Sequence, residues 1–280
     1  MKYSPRNLLV LWTLLASVLF GCGGDDSASS SVPLTQFSLP GGTTLELVRI
    51  ESGSFTMGSP DTEVGRSSHE GPLKRVTLTK PFLMGRFEVT QAQWEGVMGT
   101  RPWEGREYTE YGDLYPAVFV SWNEVQAFLS KLNSQHSGSV FRLPTEAEWE
   151  YACRAGTVTP WSSGEDETDL KDYAWYFTGL DVLGGGHPRE VGKKRANPRG
   201  LHDMHGNVRE LVQDWYFRRY PFEGDLVDPT GPAIGEDKVV RGGYWRDEAM
   251  YVRSAMRFHQ PPGDWISLVG FRVVREIDEQ

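Results

Sequence analysis

Cys22 and Cys153 are the only cysteines in 280 residues, and they constrain both what this chain can fold into and what it can catalyse. Cys22 closes the run Leu19-Phe20-Gly21-Cys22, behind an apolar stretch from Leu8 to Phe20 that follows Lys2 and Arg6. A basic start, a short apolar run and a small residue before the cut are the marks of a secretory signal. The stretch falls short of the roughly 20 apolar residues that a spanning helix needs. A cysteine at this place reads as a lipobox, so its sulfur is expected to carry lipid. Two or more acyl chains anchor a protein stably, where one does not. Cys153 is then the single thiol left in the mature chain, which rules out an internal disulfide and leaves packing to hold the fold.

This reading divides the chain into a signal peptide (1–21), a lipidated flexible tether (22–40) and one domain (41–280). Gly23 to Ser31 contains only Gly, Asp, Ser and Ala, which cannot bury a core. Gly23, rather than an acid, follows Cys22, and this favours the outer over the inner membrane of a bacterial envelope. Loss of Lys2 and Arg6 with the signal moves the net charge from −9 to −11. Neutralising phosphates takes clustered Lys and Arg, so no nucleic-acid partner is expected. The longest basic run, Lys193-Lys194-Arg195, reads as solvated surface.

Ten Trp, 11 Tyr and 13 Phe offer large apolar areas to bury, while 31 Gly and 17 Pro demand many turns and few long helices. Alternation predicts strands over Leu45–Ile50, Ser54–Ser59 and Arg75–Leu78. Lys238–Arg241 and Gly270–Val274 read as closing strands. Thr90 caps a helix carrying Trp94 and Val97. Ser121 and Glu124 form a capping box before Val125, Phe128, Leu129 and Leu132, which recur at the helical period. Thr145 and Glu148 repeat that start before Trp149, Ala152 and Cys153. Pro60–Pro72, Gly99–Pro116 and Gly156–Gly200 read as loops. Short helices on short strands with long loops predict a mixed α+β domain.

Several blocks occur in order. They are Gly53 to Ser59, Phe87 to Gln91, Val120 to Val125, Arg142 to Ala152, Gly200 to Glu210, Asp228 to Pro232, Val240 to Gly243 and Gly270 to Arg272. Together they resemble the formylglycine-generating enzyme, or sulfatase-modifying factor, superfamily over about Leu45 to Arg275. The resemblance implies a C-type-lectin-like α+β fold poor in regular structure. It also implies a copper- and oxygen-dependent oxidase that binds Cu(I) through two cysteines just after the Arg-Gly-Gly-Ser block, as soft thiolates would. Here that segment reads Arg241-Gly242-Gly243-Tyr244-Trp245-Arg246-Asp247-Glu248-Ala249-Met250-Tyr251-Val252. Asp247 stands at the first cysteine's place, and Ala249 or Val252 at the second. No copper is therefore expected, and Cys153, on an apolar helix face, is expected to be a small buried hydrophobe.

The same resemblance implies a structural calcium on Asn207 and Glu210, oxygen donors suited to a hard cation. The residues alone also allow Asn207 to serve a turn and Glu210 a helix start. The family's usual Trp is replaced at Arg209 and Leu211. His202 and His205 flank Asp203 in a short turn that reads as hydrogen-bonded structure. Aromatic, Met and Arg side chains mark binding hot spots. Tyr244, Arg246, Asp247, Tyr251, Phe258, His259 and Trp265 are accordingly expected to form the binding face for a protein or small-molecule ligand. The expected function is a lipid-anchored extracytoplasmic binding module without catalysis. An enzyme of the same superfamily with cysteine-free chemistry, such as cofactor or siderophore maturation, is the alternative, and an active formylglycine-generating oxidoreductase comes last.

Overall fold

The structure, a computed structural model, describes residues 32–277 except 137, 139, 180–185 and 221–223. The signal peptide and Cys22 lie outside the described residues. The first strands are β1 (Leu34–Ser38), β2 (Thr44–Ile50), β3 (Gly53–Met57), β4 (Lys74–Leu78) and β5 (Phe82–Gly85). Helices α1 (Gln91–Met98) and α2 (Trp122–Gln135), strand β6 (Phe141–Arg142) and helices α3 (Glu146–Arg154) and α4 (Glu167–Leu170) follow. The chain closes with β7 (Arg209–Trp215), β8 (Leu226–Val227), β9 (Lys238–Arg241), β10 (Phe258–Gln260), β11 (Val269–Phe271) and β12 (Val274–Glu276). Three sheets result, ordered β1-β2-β5-β12-β6, β10-β9-β7-β11 and β3-β4-β8. The first is antiparallel throughout, whereas β11 joins β7 and β8 joins β4 in parallel. This is the expected α+β class, with few helices.

Each of the three main helices begins as its sequence dictates. Thr90, Ser121 and Thr145 accept from the backbone N–H three residues on, while Gln93, Glu124 and Glu148 reach back to the cap. Both orphan donors are thereby satisfied. The apolar stripe of α2 buries Val125, Phe128, Leu129 and Leu132. Phe128 stacks on Trp94 at 5.5 Å and meets Phe271 edge-on at 5.3 Å, which ties both helices to the four-stranded sheet. A second core gathers Trp149, Ala152 and Cys153 of α3 with Val48, Met84, Val212 and Val239.

Two expectations need correction. The tether does not run to residue 40, because β1 pairs with β2 from Leu34↔Val48 to Ser38↔Thr44. Phe37 secures this strand by packing edge-on against Phe141 at 5.2 Å. Glu210 starts no helix but lies in β7, between β9 and β11. The buried face of β7 carries Glu210, Val212 and Asp214, whereas Leu211 and Trp215 stand on the other face with Arg209 and Gln213, so polarity does not follow burial and the alternation by which a strand is recognised is lost. In the long segment Gly156–Gly200, α4 is the only α-helix among the described residues.

The core also contains charge. Arg241, Arg253 and Arg272 are among the largest fully buried side chains. Arg272 donates to both oxygens of Glu210 at 2.5 and 2.6 Å, Arg253 to both of Glu70 at 2.8 Å, and Arg241 pairs with Glu150. Desolvation offsets most of the attraction within such pairs, but removing one partner costs about 3–5 kcal/mol. They fix how the irregular segments seat on α3 and β7 more than they add net stability.

Candidate functional site

The segment after β9 turns sharply at Gly242 and Gly243, which have φ of +91° and +72°. A Cβ on Gly243 would lie 2.7 Å from the Tyr251 carbonyl oxygen, so this position needs glycine. The turn closes when Asp247 N–H donates to the Tyr244 carbonyl at 2.9 Å and Tyr244 N–H to Asp247 Oδ2 at 3.2 Å. Trp245 N–H reaches the Asn207 carbonyl at 3.0 Å, setting the loop against the start of β7. Arg209, the first residue of β7, is held by its N–H on Leu268 O at 2.7 Å.

Its guanidinium then meets Asp247. Nη2 lies 2.8 Å from Oδ2 and 3.1 Å from Oδ1, and Nε 3.3 Å from Oδ2. The Arg209 Cζ sits 3.7 Å from the Phe258 ring centre and 4.9 Å from that of Tyr244. The Arg209 and Asp247 side chains are only 19% and 11% exposed. Burial raises the Asp247 pKa above its ordinary value despite the opposing pull of Arg209. Thus Tyr244, Asp247 and Phe258 come together around a cation that was not among the expected site residues. Its only signal in the sequence was its stand-in for the family's tryptophan.

The other expected residues go elsewhere. Phe258 and His259 are neighbours on β10, so their side chains leave opposite faces. His259 stacks on Tyr216 at 4.1 Å, and its Nδ1 is 2.5 Å from Asp237 Oδ2. Tyr216 Oη lies 2.6 Å from His69 Nδ1, so this is a separate cluster. Trp265 remains exposed, with Arg106 over one face of its ring at 4.5 Å and Phe119 at 6.0 Å. Arg246 and Tyr251 are exposed. Two grooves of about 550 and 790 Å³, lined respectively by residues such as Glu95, Arg101 and Asp113 and by Lys80, Arg142 and Glu276, include none of the seven.

Asn207 and Glu210 do not fit a calcium ion. Asn207 Oδ1 accepts from Arg189 N–H at 2.8 Å, and its Nδ2 donates to Glu88 at 2.6 Å. Both Glu210 oxygens accept from Arg272, and one also accepts from Trp149 Nε1 at 2.7 Å. A divalent cation there would face a buried guanidinium. Among the described residues no three His, Cys, Asp or Glu are grouped to hold a metal ion. His202 and His205 point apart, with His202 Nδ1 2.8 Å from Lys194 O and His205 Nδ1 2.8 Å from Val252 O. Burial pushes the His205 pKa down to about 4, leaving a neutral ring whose Nε2 accepts from Ser162.

Cys153 is fully buried beside Ser254, and burial pushes its thiol up to about 12. A thiol so placed forms neither the thiolate nor the accessible ligand that copper chemistry needs. Acid groups lie behind Asn207. Burial, with Asp203 and Glu210 close by, holds Glu88 well above the carboxylate range, and Asp203 is raised to about 6 by burial.

The comparisons agree with this architecture. The sequence profile of the sulfatase-modifying factor enzyme 1-like domain matches residues 36–277. The chain is 28% identical to the formylglycine-generating enzyme of Bos taurus, over 84% of its own length and 76% of the relative's. Among solved structures, PvdO from Pseudomonas aeruginosa superposes with a TM-score of 0.76 at 33% identity, covering 87% of this chain and 98% of the other. Treponema denticola variable protein 1 superposes with a TM-score of 0.75 at 28% identity, covering 87% and 99%. With the profile spanning most of its length and the same fold in these relatives, the chain belongs to the formylglycine-generating enzyme, or sulfatase-modifying factor, superfamily.

Proposed function

We propose that this protein is a lipid-anchored, extracytoplasmic binding module that keeps the superfamily's scaffold without its copper–thiolate chemistry. One observation carries the reading. At the places where the resemblance puts a catalytic cysteine and a tryptophan stand Asp247 and Arg209, and these two substituted residues bind each other at 2.8 Å. An aspartate is a poor ligand for Cu(I), and a guanidinium beside it repels a cation. The same pair, with Phe258 and Tyr244 on the guanidinium, offers a rigid, largely desolvated surface of the composition that binding hot spots favour. Cys22 supplies the anchor in this reading.

The test is mass spectrometry of a cysteine-containing sulfatase peptide incubated with the purified protein, copper, oxygen and reductant, beside an active relative. No mass loss above background is expected. Turnover comparable to the control would overturn the reading and show that this scaffold activates oxygen without a cysteine pair. Acylation is tested separately, by the intact mass of the membrane-extracted protein and of its Cys22→Ala variant.

A further inference from the structure

The groove of about 550 Å³ beside α1 takes no part in the site described above. Its walls come from α1 and from the loop that follows, and that loop is held in a fixed shape. Buried Gln91, on α1, donates through Nε2 to Glu110 O at 2.7 Å and accepts through Oε1 from Gly112 N–H at 3.2 Å. Tyr111 Oη accepts from Gly105 N–H at 2.8 Å, and Glu104 N–H donates to Arg101 O at 3.0 Å. Trp103, which also lines the groove, is buried. A groove shaped before a ligand arrives spares the cost of ordering it on binding.

Its lining is acidic. The carboxylates of Glu95, Glu104 and Asp113 stand against one guanidinium, and Arg101 already lies 2.8 Å from Glu95. Among the described residues Glu104 and Asp113 form no ion pair. Nearby bases do not make up the difference. Residues 91–114 carry five acids and two arginines, a local charge of −3. The second arginine, Arg106, lies over the rings of Trp265 and Phe119 at 4.5 and 5.5 Å. Val191 N–H donates to Leu114 O at 2.9 Å, which brings Lys193 towards the loop, but Lys193 meets Glu190 at 2.8 Å. Apolar surface borders the same loop. Tyr108, Tyr111 and Leu114 are each about half exposed, and Trp265 and Ile266 are exposed where Phe119 N–H meets Ile266 O. These are five of the fifteen large apolar side chains that the described residues leave exposed, and apolar surface gathered in this way marks an interaction site.

We propose that this groove and its apolar border dock a basic segment of a partner protein, one that sets a lysine or arginine side chain against Glu104 and Asp113 and an apolar side chain on Tyr111. Charge complementarity selects this occupant. An acidic segment would meet like charge, and a purely apolar one would strip water from two carboxylates without replacing it. A small free amine would leave Tyr111 and the surface beside it uncovered. The proposal rests on the binding-module reading and names a partner for it, whereas the peptide-oxidation assay above tests that reading with a different substrate and readout.

The probe is a fluorescein-labelled hexapeptide, Ser-Lys-Leu-Lys-Ser-Gly, and its anisotropy would be followed as purified full-length protein is added. Binding is expected. It should weaken about twofold to 30-fold in Glu104→Gln/Asp113→Asn and at least about fivefold in Tyr111→Ala. A peptide with glutamate in place of lysine, or serine in place of leucine, should bind less well. The variant Glu165→Gln/Asp169→Asn removes the same charge from two exposed acids elsewhere and should leave binding unchanged. Because Tyr111 also holds Gly105, the Glu104/Asp113 variant, which keeps the hydrogen bonds of the loop, is the deciding one. No binding of the lysine peptide would sink the proposal. Equal weakening by the two double variants would do the same, since the attraction would then belong to the charge of the whole molecule. Cadaverine that displaces the peptide at equal concentration would give the groove to a small amine and likewise overturn it.

Discussion

Replacing Asp247 by Ala removes the acceptor from a guanidinium that is only 19% exposed and packed over Phe258. Fully exposed pairs contribute roughly 0.2–1 kcal/mol, and breaking a fully buried one costs about 3–5 kcal/mol. This pair lies between the two, so Asp247→Ala should cost about 2 kcal/mol, or about 4–8 °C in Tm for a domain of this size. Asp247→Asn should cost about half as much, since an amide keeps one acceptor for Arg209 and avoids burying a charge. The direction of the Asp247 pKa makes this case sharper. Burial raises it, so the folded state holds the proton more tightly than the unfolded one. The stability from this group is then full below the unfolded pKa and is lost as pH rises through the folded value. Acidification should therefore favour the wild type over Asp247→Asn, and the gap should narrow towards neutral pH. Urea unfolding of the wild type, Asp247→Ala, Arg209→Met and the double variant, repeated at several pH values, measures all of this. A coupling of at least 1 kcal/mol between the two sites is expected. Coupling under about 0.3 kcal/mol would mean that the two substituted residues are neighbours without being partners, and the account of the site would fail.

Two further predictions concern charge. Burial lifts Asp214 to about 8 and pulls Lys238 down to about 8. The Asp214 contribution is lost as pH rises from about 4 to 8, while that of Lys238 is regained from about 8 towards its ordinary 10.5. The urea midpoint should therefore dip near pH 8. Asp214→Asn should flatten the acid limb and Lys238→Met the alkaline one, and a profile that neither variant changes would refute the assignment. Because Glu210 is occupied by Arg272, exchanging millimolar calcium for EGTA should move Tm by less than about 1 °C. A bound ion at 100 times its Kd would add about 2.7 kcal/mol, so a rise of roughly 5 °C or more with calcium would restore the metal site.

What the sequence revealed of the fold was what local chemistry decides. Thr90, Ser121 and Thr145 announce their helices because a cap and its return partner lie three residues apart, and nothing distant can undo that pairing. Strand β7 carries no alternating signal because two acids, Glu210 and Asp214, lie on its buried face beside Val212, and their partners come from distant parts of the chain. Strand β1 gives little signal in the sequence because it is mostly exposed and its pairing with β2 is the larger part of what orders it. The site followed the same division. Asp247 was found because it stands where a cysteine was expected, whereas its partner lies 38 residues away in sequence. His259 and Phe258 are adjacent in sequence, but the two-residue period of β10 sends their side chains to opposite faces.

The pairing of Arg209 with Asp247 also bears on how such a site changes. Asp247 alone would be a largely buried carboxylate without a counter-charge, and Arg209 alone a largely buried cation, each costing about 2 kcal/mol at this partial exposure. Together they satisfy one another, and Phe258 and Tyr244 cover the guanidinium. The buried scaffold pairs are separate from this one: Arg241 holds Glu150 and Arg272 holds Glu210. The two layers are nevertheless adjacent, since Arg209 immediately precedes Glu210 on β7 and projects to the other side of the sheet. The backbone that positions the buried Arg272–Glu210 pair therefore also positions the Arg209–Asp247 pair. Loss of Arg272 should displace Arg209 as well as lower stability, whereas loss of Asp247 should leave the buried pair undisturbed. That asymmetry would let the side chains of this face vary while the fold beneath them stays the same.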